Sequence, residues 1–197
     1  PGSNSHAVAD LTMGLMISIC RKITEANELV RQAQMTQMMG LELQNKVLGI
    51  LGFGAIGKQV AIRAKGFGLS IYAYDKYIDQ QFCDDQKITV ANFEQIISQS
   101  DFLTVHLPLN LETAKIINEQ AIKMMKKGAL LVNVSRGGIV DEDACAKALM
   151  NGHLAGAAFD VFLNEPPDIN GLLFKAPNTL FSTHMAGCTQ ESIARSA

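Results

Sequence analysis

The chain has 197 residues, 48% of them hydrophobic and 18% charged, with a net charge of −2; that suits one well-cored α/β domain and excludes a disordered chain. No Lys/Arg-rich run stands out, and Lys123, Lys126 and Lys127 read as a solvated helix end, so nucleic acid is not an expected partner. The longest early apolar run, residues 11–20, falls short of the roughly 20 residues a bilayer needs, and the scattered Cys20, Cys83, Cys145 and Cys188 contain no CxxC pair, which points to a cytoplasmic protein with reduced thiols and neither disulfide nor zinc.

In chain order, residues 5–34 predict one long helix. Val8, Leu11, Leu15, Ile19, Ile23, Ala26 and Val30 recur at 3.6-residue spacing. Met13, Met16, Ile17 and Cys20 form a second apolar stripe. One buried face needs only one stripe, so the second is expected in a homodimer interface. Short apolar runs then predict strands at 47–51, 70–74, 102–107, 129–134, 155–159 and 179–182. Helices are predicted between them at 56–65, 92–98, 119–125 and 142–151. This alternation predicts an α/β fold: a doubly wound parallel sheet of the Rossmann type with helices on both faces.

The first strand runs into Gly52-Phe53-Gly54-Ala55-Ile56-Gly57, and a helix leaves it. Gly52 permits the tight turn, Gly54 lets a pyrophosphate approach the backbone, and Gly57 lets helix and strand pack closely. The helix N-terminus offers free N–H groups to the diphosphate. The second strand ends at Asp75, 18 residues past Gly57. An acid there accepts from ribose hydroxyls and repels a 2′-phosphate, so the cofactor read from the sequence is NAD rather than NADP.

Ligands of open α/β sheets bind beyond the carboxyl ends of the strands. Those ends deliver Ser135-Arg136, then Asp160 with Glu165-Pro166, then Thr183-His184 and Gly187. Reduction of a 2-keto acid needs such a set. An arginine holds the substrate carboxylate, and an imidazolium gives a proton to the developing alkoxide. A carboxylate beside an imidazole orients it and favours its charged form. Arg136, His184 and Glu165 fill these roles. His106 ends the third strand, and His6 and His153 read as surface residues. No metal-ligand spacing and no GxSxG elbow occur.

These residues resemble the NAD-binding domain of the D-isomer-specific 2-hydroxyacid dehydrogenases. The resemblance runs along nearly the whole chain. It rests on Pro1-Gly2-Ser3-Asn4, the glycine-rich loop, Val105-His106-Leu107-Pro108-Leu109, the stretch 132–142, the stretch 155–162, Glu165-Pro166 and Thr183-His184-Met185-Ala186-Gly187. It implies that Arg136, Glu165 and His184 are catalytic and that Asp160 contacts the nicotinamide side. It further implies cofactor contacts at Ala55, Ile56, Asp75, Leu107, Pro108, Thr113 and Val134, and at Ser135, Arg136, His184 and Gly187. Thr183 departs from the proline usual before the histidine, and Asn164 stands where an acidic or polar residue is common. The implied activity is hydride transfer between NAD(H) and a D-2-hydroxy acid or its 2-keto acid, D-3-phosphoglycerate being one candidate. The alternative is an NAD-sensing module of the corepressor type. Members of the family carry a second lobe. Residues 1–197, starting without Met and stopping inside a helical pattern at Ala197, are therefore expected to be an excised cofactor domain.

Overall fold

The computed structural model describes residues 2–196, so Pro1 of the opening motif and the end at Ala197 lie outside the described residues. The elements are α1 (Ser5–Arg21), α2 (Ile23–Arg31), β1 (Val47–Leu51), α3 (Ala55–Lys65), β2 (Ser70–Tyr74), α4 (Gln80–Asp85), β3 (Thr89–Val90) and α5 (Phe93–Gln99). There follow β4 (Phe102–Val105), α6 (Glu119–Met124), β5 (Ala129–Asn133), α7 (Glu142–Met150), β6 (Leu154–Phe159), α8 (Leu172–Lys175), β7 (Thr179–Phe181) and α9 (Gln190–Ser196). The strands form one sheet in the order β3-β2-β1-β4-β5-β6-β7, and every pair is parallel. Strand order reverses between β1 and β4, which opens a crevice at their carboxyl ends.

Side-chain alternation explains why both faces are covered. Leu48 and Ile50 of β1, with Leu130 and Val132 of β5, enter one core beneath α1 and α3. Leu51, Leu103, Val105 and Leu131 point the other way, into a core with Ile96, Ile122 and Leu149 of α5, α6 and α7. Helix starts are fixed locally: Asp79, Asn92, Asn118 and Asp141 each accept an amide of their helix's first turn.

Two expectations need correction. The single helix over 5–34 is two helices, because Lys22 adopts left-handed φ 53 and its N–H turns back to Ile19 O. More consequentially, the second stripe is core. Met13, Met16 and Cys20 are almost wholly buried, together with Val8 and Leu15 of the first stripe. A helix lying across a sheet between neighbouring crossovers buries most of its circumference, so one stripe does not suffice. Truncating Met16 would therefore cost about 2–5 kcal/mol of stability, and a charge there would break the fold rather than a dimer. Among the elements absent from the sequence reading, β3 is a two-residue exposed edge strand, α4 a six-residue helix with one buried residue, Cys83, and α8 a single four-residue turn.

Candidate cofactor and catalytic site

The turn after β1 is built around Gly52. Its φ is +92, and a Cβ there would stand 2.5 Å from the His106 carbonyl carbon. A Cβ on Gly57 would meet Gly52 O at 2.4 Å, so this residue lets α3 close onto the turn. At Gly54 a Cβ would meet nothing within 4 Å; the space outside it is open. Gly54 provides no side-chain cap, and the first turn of α3 holds no acidic residue. Ala55 is exposed and Ile56 half-buried on that turn. An uncapped eleven-residue helix with open space before it fits a diphosphate.

Asp75 follows β2 and reaches across to this loop. Its Oδ2 accepts from Phe53 N at 2.7 Å and its Oδ1 from Tyr77 N at 2.9 Å. A carboxylate has about four acceptor positions, so two remain for a diol. Beyond β4, Leu107 is buried and Pro108 exposed. Thr113 is buried, and its hydroxyl donates to Pro108 O while receiving Asn110 N. It braces this loop.

Behind the loop, His106 pairs through Nε2 with Thr104 Oγ1. Its Nδ1 is shut off from solvent and has no hydrogen-bond partner. Burial pushes the ring's pKa down to about 3, so it is neutral under any physiological condition.

The other half of the rim carries the proposed chemistry. After β5, Val134 and Ser135 are buried, and Ser135 Oγ donates to Asn133 Oδ1 at 2.9 Å. Arg136 is exposed, and its Nη1 donates to Ser135 O. Glu165 and His184 lie 19 positions apart and meet at 2.7 Å between Oε2 and Nδ1. Glu165 Oε1 also accepts from Phe162 N. These two hydrogen bonds, that from His184 first, hold its carboxyl below the usual range, with Arg136 adding a smaller pull. Because Nδ1 faces Glu165, Nε2 is the ring atom that can serve a substrate.

His184 itself sits at φ 56, a left-handed conformation that costs most residues about 1–2 kcal/mol. What holds it there is Asp160. That carboxylate is wholly buried and accepts from Ser182 Oγ, Met185 N and Ala186 N, all on the segment that carries His184. Three of the acceptor positions of Asp160 are thus taken by the histidine loop, which gives this residue a structural role there.

One cleft of about 610 Å³ unites the two halves. Ile56 of the glycine-rich turn shares it with Pro108, Arg136, His184 and Gly187. Asn4, the cap of α1, and Val8 of α1 line it as well; the sequence signalled Asn4 only through the Gly2-Ser3-Asn4 motif and Val8 only as a member of the apolar stripe. On another side His184 borders an apolar hollow of about 360 Å³ formed with Phe162, Phe174 and Phe181. Among the described residues, no group of His, Cys, Asp and Glu could hold a metal ion, and no helix is long and apolar enough to cross a membrane.

Residues 13–186 match the family described as "D-isomer specific 2-hydroxyacid dehydrogenase, NAD binding domain". The chain belongs to that family. Among similar proteins, D-3-phosphoglycerate dehydrogenase of Methanocaldococcus jannaschii is 39% identical over 98% of this chain and 37% of its own length. Glyoxylate reductase of Thermococcus litoralis is 38% identical over 98% of the chain and 60% of its own length. The crystal structure of D-lactate dehydrogenase from Aquifex aeolicus, complexed with NAD and lactic acid, superposes with a TM-score of 0.90 at 26% identity, covering 97% of this chain and 62% of that one. The chain therefore spans between 37% and 62% of the length of these relatives. As a domain of this dehydrogenase family it is an NAD-binding Rossmann fold, and the uncapped α3 and the free acceptors of Asp75 are the local features that suit that cofactor.

Proposed function

We propose that this chain is the cofactor-binding part of an oxidoreductase that interconverts a D-2-hydroxy acid and its 2-keto acid with NAD(H). The observation that carries the reading is the 2.7 Å pair of His184 and Glu165, in which His184 lines one cleft with Arg136 and with Ile56 of the glycine-rich turn, while Glu165 lies behind it on the apolar hollow. When bound, NAD(H) supplies or accepts the hydride. In reduction, the Arg136 guanidinium holds the substrate carboxylate by charge-assisted hydrogen bonds. His184 gives a proton from Nε2 to the oxygen that becomes the alcohol, and Glu165 keeps the imidazolium charged and oriented. In oxidation the neutral ring takes that proton back. Preference for NAD over NADP follows from the charge of Asp75 at the ribose position.

Glyoxylate and the 2-keto acid derived from D-3-phosphoglycerate head the substrate candidates, because the relatives above carry those names. Those names leave the corepressor-type alternative without support. The decisive experiment is a panel of 2-keto acids given to the full-length protein with NADH, followed by absorbance of the nicotinamide. Turnover of none of them would sink the reading.

Residues 1–197 are proposed to act as one cofactor domain that a second lobe completes. Supporting this, Glu165 and His184 are 40% and 49% exposed, so something else must exclude water during hydride transfer. We propose a cytoplasmic location on the unpaired cysteines, three of them buried. A homodimer through segment 5–34 is also proposed, but with a different surface from the methionine stripe. No residue of α2 is buried, its Ile23 and Val30 are exposed, and Met35 and Met39 beyond it are 85% and 87% exposed. Light scattering of the Ile23→Lys/Val30→Glu variant should report a monomer; a persisting dimer places the interface elsewhere.

A further inference from the structure

Glu165 does its work from a segment without regular structure, residues 162–165, and the proposed chemistry depends on where that segment is held. Two carboxylates capture its amides. Glu165 itself receives Phe162 N at 3.1 Å, and Glu142 Oε1, from the first turn of α7, receives Leu163 N at 2.7 Å. Beneath the segment lies the loop that follows Arg136. A Cβ on Gly137 would stand 1.8 Å from Phe162 O and 2.7 Å from Leu163 N, so the two backbones are in direct contact. Helix α7 begins five residues after Gly137. Glu142 thus ties the Arg136 loop and the Glu165 segment to one rigid helix start.

An acid in a helix's first turn has a simpler use, favourable interaction with the helix dipole. Asp143 serves that purpose on the exposed side. Glu142 is instead half-buried and turned toward Leu163, and burial pushes its carboxyl up from the ordinary value. The charged groups around it are Asp141, Asp143 and Lys115, and Lys115 is committed to Asp141 at 3.1 Å. Around Glu165 the charged groups are His184 and Arg136.

We infer that Glu142 is a positioning residue for the Glu165–His184 pair, fixing the Leu163 peptide so that the Glu165 carboxylate stays in hydrogen-bond contact with the imidazole. The inference rests on the proposed roles of those two residues. Without the Glu142 acceptor the segment can lift from the Gly137 contact, and the carboxylate no longer stabilises the imidazolium at short range.

The test uses the NADH-free full-length protein and reads the imidazole titration of His184 by NMR, with the signal assigned by its loss in His184→Asn. Glu165→Gln is the reference and should move the midpoint down. Glu142→Ala should move it down by about half as much, whereas Glu142→Gln, which keeps the acceptor oxygen, should restore it. The fall of kcat/KM for glyoxylate reduction with rising pH should follow the same order. A native midpoint in Glu142→Ala alongside a shifted one in Glu165→Gln overturns the inference alone. An unshifted midpoint in Glu165→Gln overturns the coupling itself and this inference with it. Should Glu142→Ala fail to fold, Glu142→Asp decides: it keeps the charge but falls short of Leu163 N, and an unmoved midpoint overturns the inference.

Discussion

The two halves of the sheet's rim are built differently. On the β1–β2 side the functional parts are backbone and one short carboxylate: a turn with no room for a side chain at Gly52, amides at the start of α3, and Asp75 braced on Phe53 N. On the β5–β7 side they are long side chains, Arg136, Glu165 and His184, all exposed on irregular segments. The first half carries the features that suit a nucleotide, an uncapped α3 and the open acceptors of Asp75. The second holds its groups through a few specific contacts, the Asp160 hydrogen bonds, the Glu142 hydrogen bond and the Gly137 packing, and its chemistry needs a cover. Under the proposed function, binding and reactivity should be separable by substitution.

The largest effect expected from that contrast is on turnover. In the full-length enzyme His184→Asn should lower kcat by about 10²–10⁴-fold, while the NADH dissociation constant measured by fluorescence stays within about twofold of native, since the amides and charged acceptor that bind the nucleotide are untouched. Asparagine is the substitution of choice because it tolerates the left-handed backbone there. Equal losses in binding and turnover would erase the distinction between the halves.

Asp75→Ala should do the opposite. It removes charge-assisted hydrogen bonds worth about 1.5–3 kcal/mol, so NADH affinity should fall roughly tenfold to a hundredfold, and the ratio of NADH to NADPH affinity should narrow. Calorimetry with both nucleotides checks it; an unchanged ratio would remove Asp75 from the ribose site.

A smaller effect sharpens the second half. Reduction needs the protonated imidazole, so its kcat/KM falls as pH rises through the titration of the pair. The ionised Glu165, held so by its hydrogen bond to His184, favours that protonated ring. Glu165→Gln should move the fall to lower pH. A fall at the native pH would mean that the pair is a close but uncoupled contact.

The smallest effect at neutral pH concerns His106, behind the glycine-rich turn. Its folded titration, near 3, lies below the free value of 6.5. The unfolded chain therefore binds the proton first as pH falls. Stability from this group is complete above 6.5 and declines by up to about 1.4 kcal/mol per pH unit below it. Denaturant unfolding between pH 7 and 4 should be less acid-sensitive in His106→Gln than in the native protein.

Much of this architecture was legible in the sequence because parallel strands buried on both faces leave continuous apolar runs. The six strands read from such runs recur within two residues of their observed limits. β3 was not legible, since two exposed edge residues carry no periodicity, and α4 was not because one buried cysteine makes no stripe. The break at Lys22 was hidden because hydrophobic spacing does not register a backbone dihedral. For the site, the strand-end rule located Arg136, Glu165 and His184, which the fold gathers beside one cleft. It could not distinguish residues that point into the cleft from those that hold the walls. Asp160, Thr113 and Glu142 are wall-holders, and only the donors around them reveal it.

The double attachment of Asp75 bears on any attempt to redesign coenzyme preference. Admitting a 2′-phosphate requires removing the negative charge, yet the same carboxylate satisfies the amides of Phe53 and Tyr77. Alanine would leave both amides without their acceptor, trading selectivity against order in the turn. Asparagine keeps an oxygen for one of them and discards the charge. Placing a basic group to meet the phosphate has a further obstacle, because Lys76 next door is paired with Glu112 at 3.3 Å. A successful NADP-accepting variant would therefore change Asp75 and Glu112 together, with Asp75→Asn and Glu112→Gln as the pair that releases the lysine while sparing the loop.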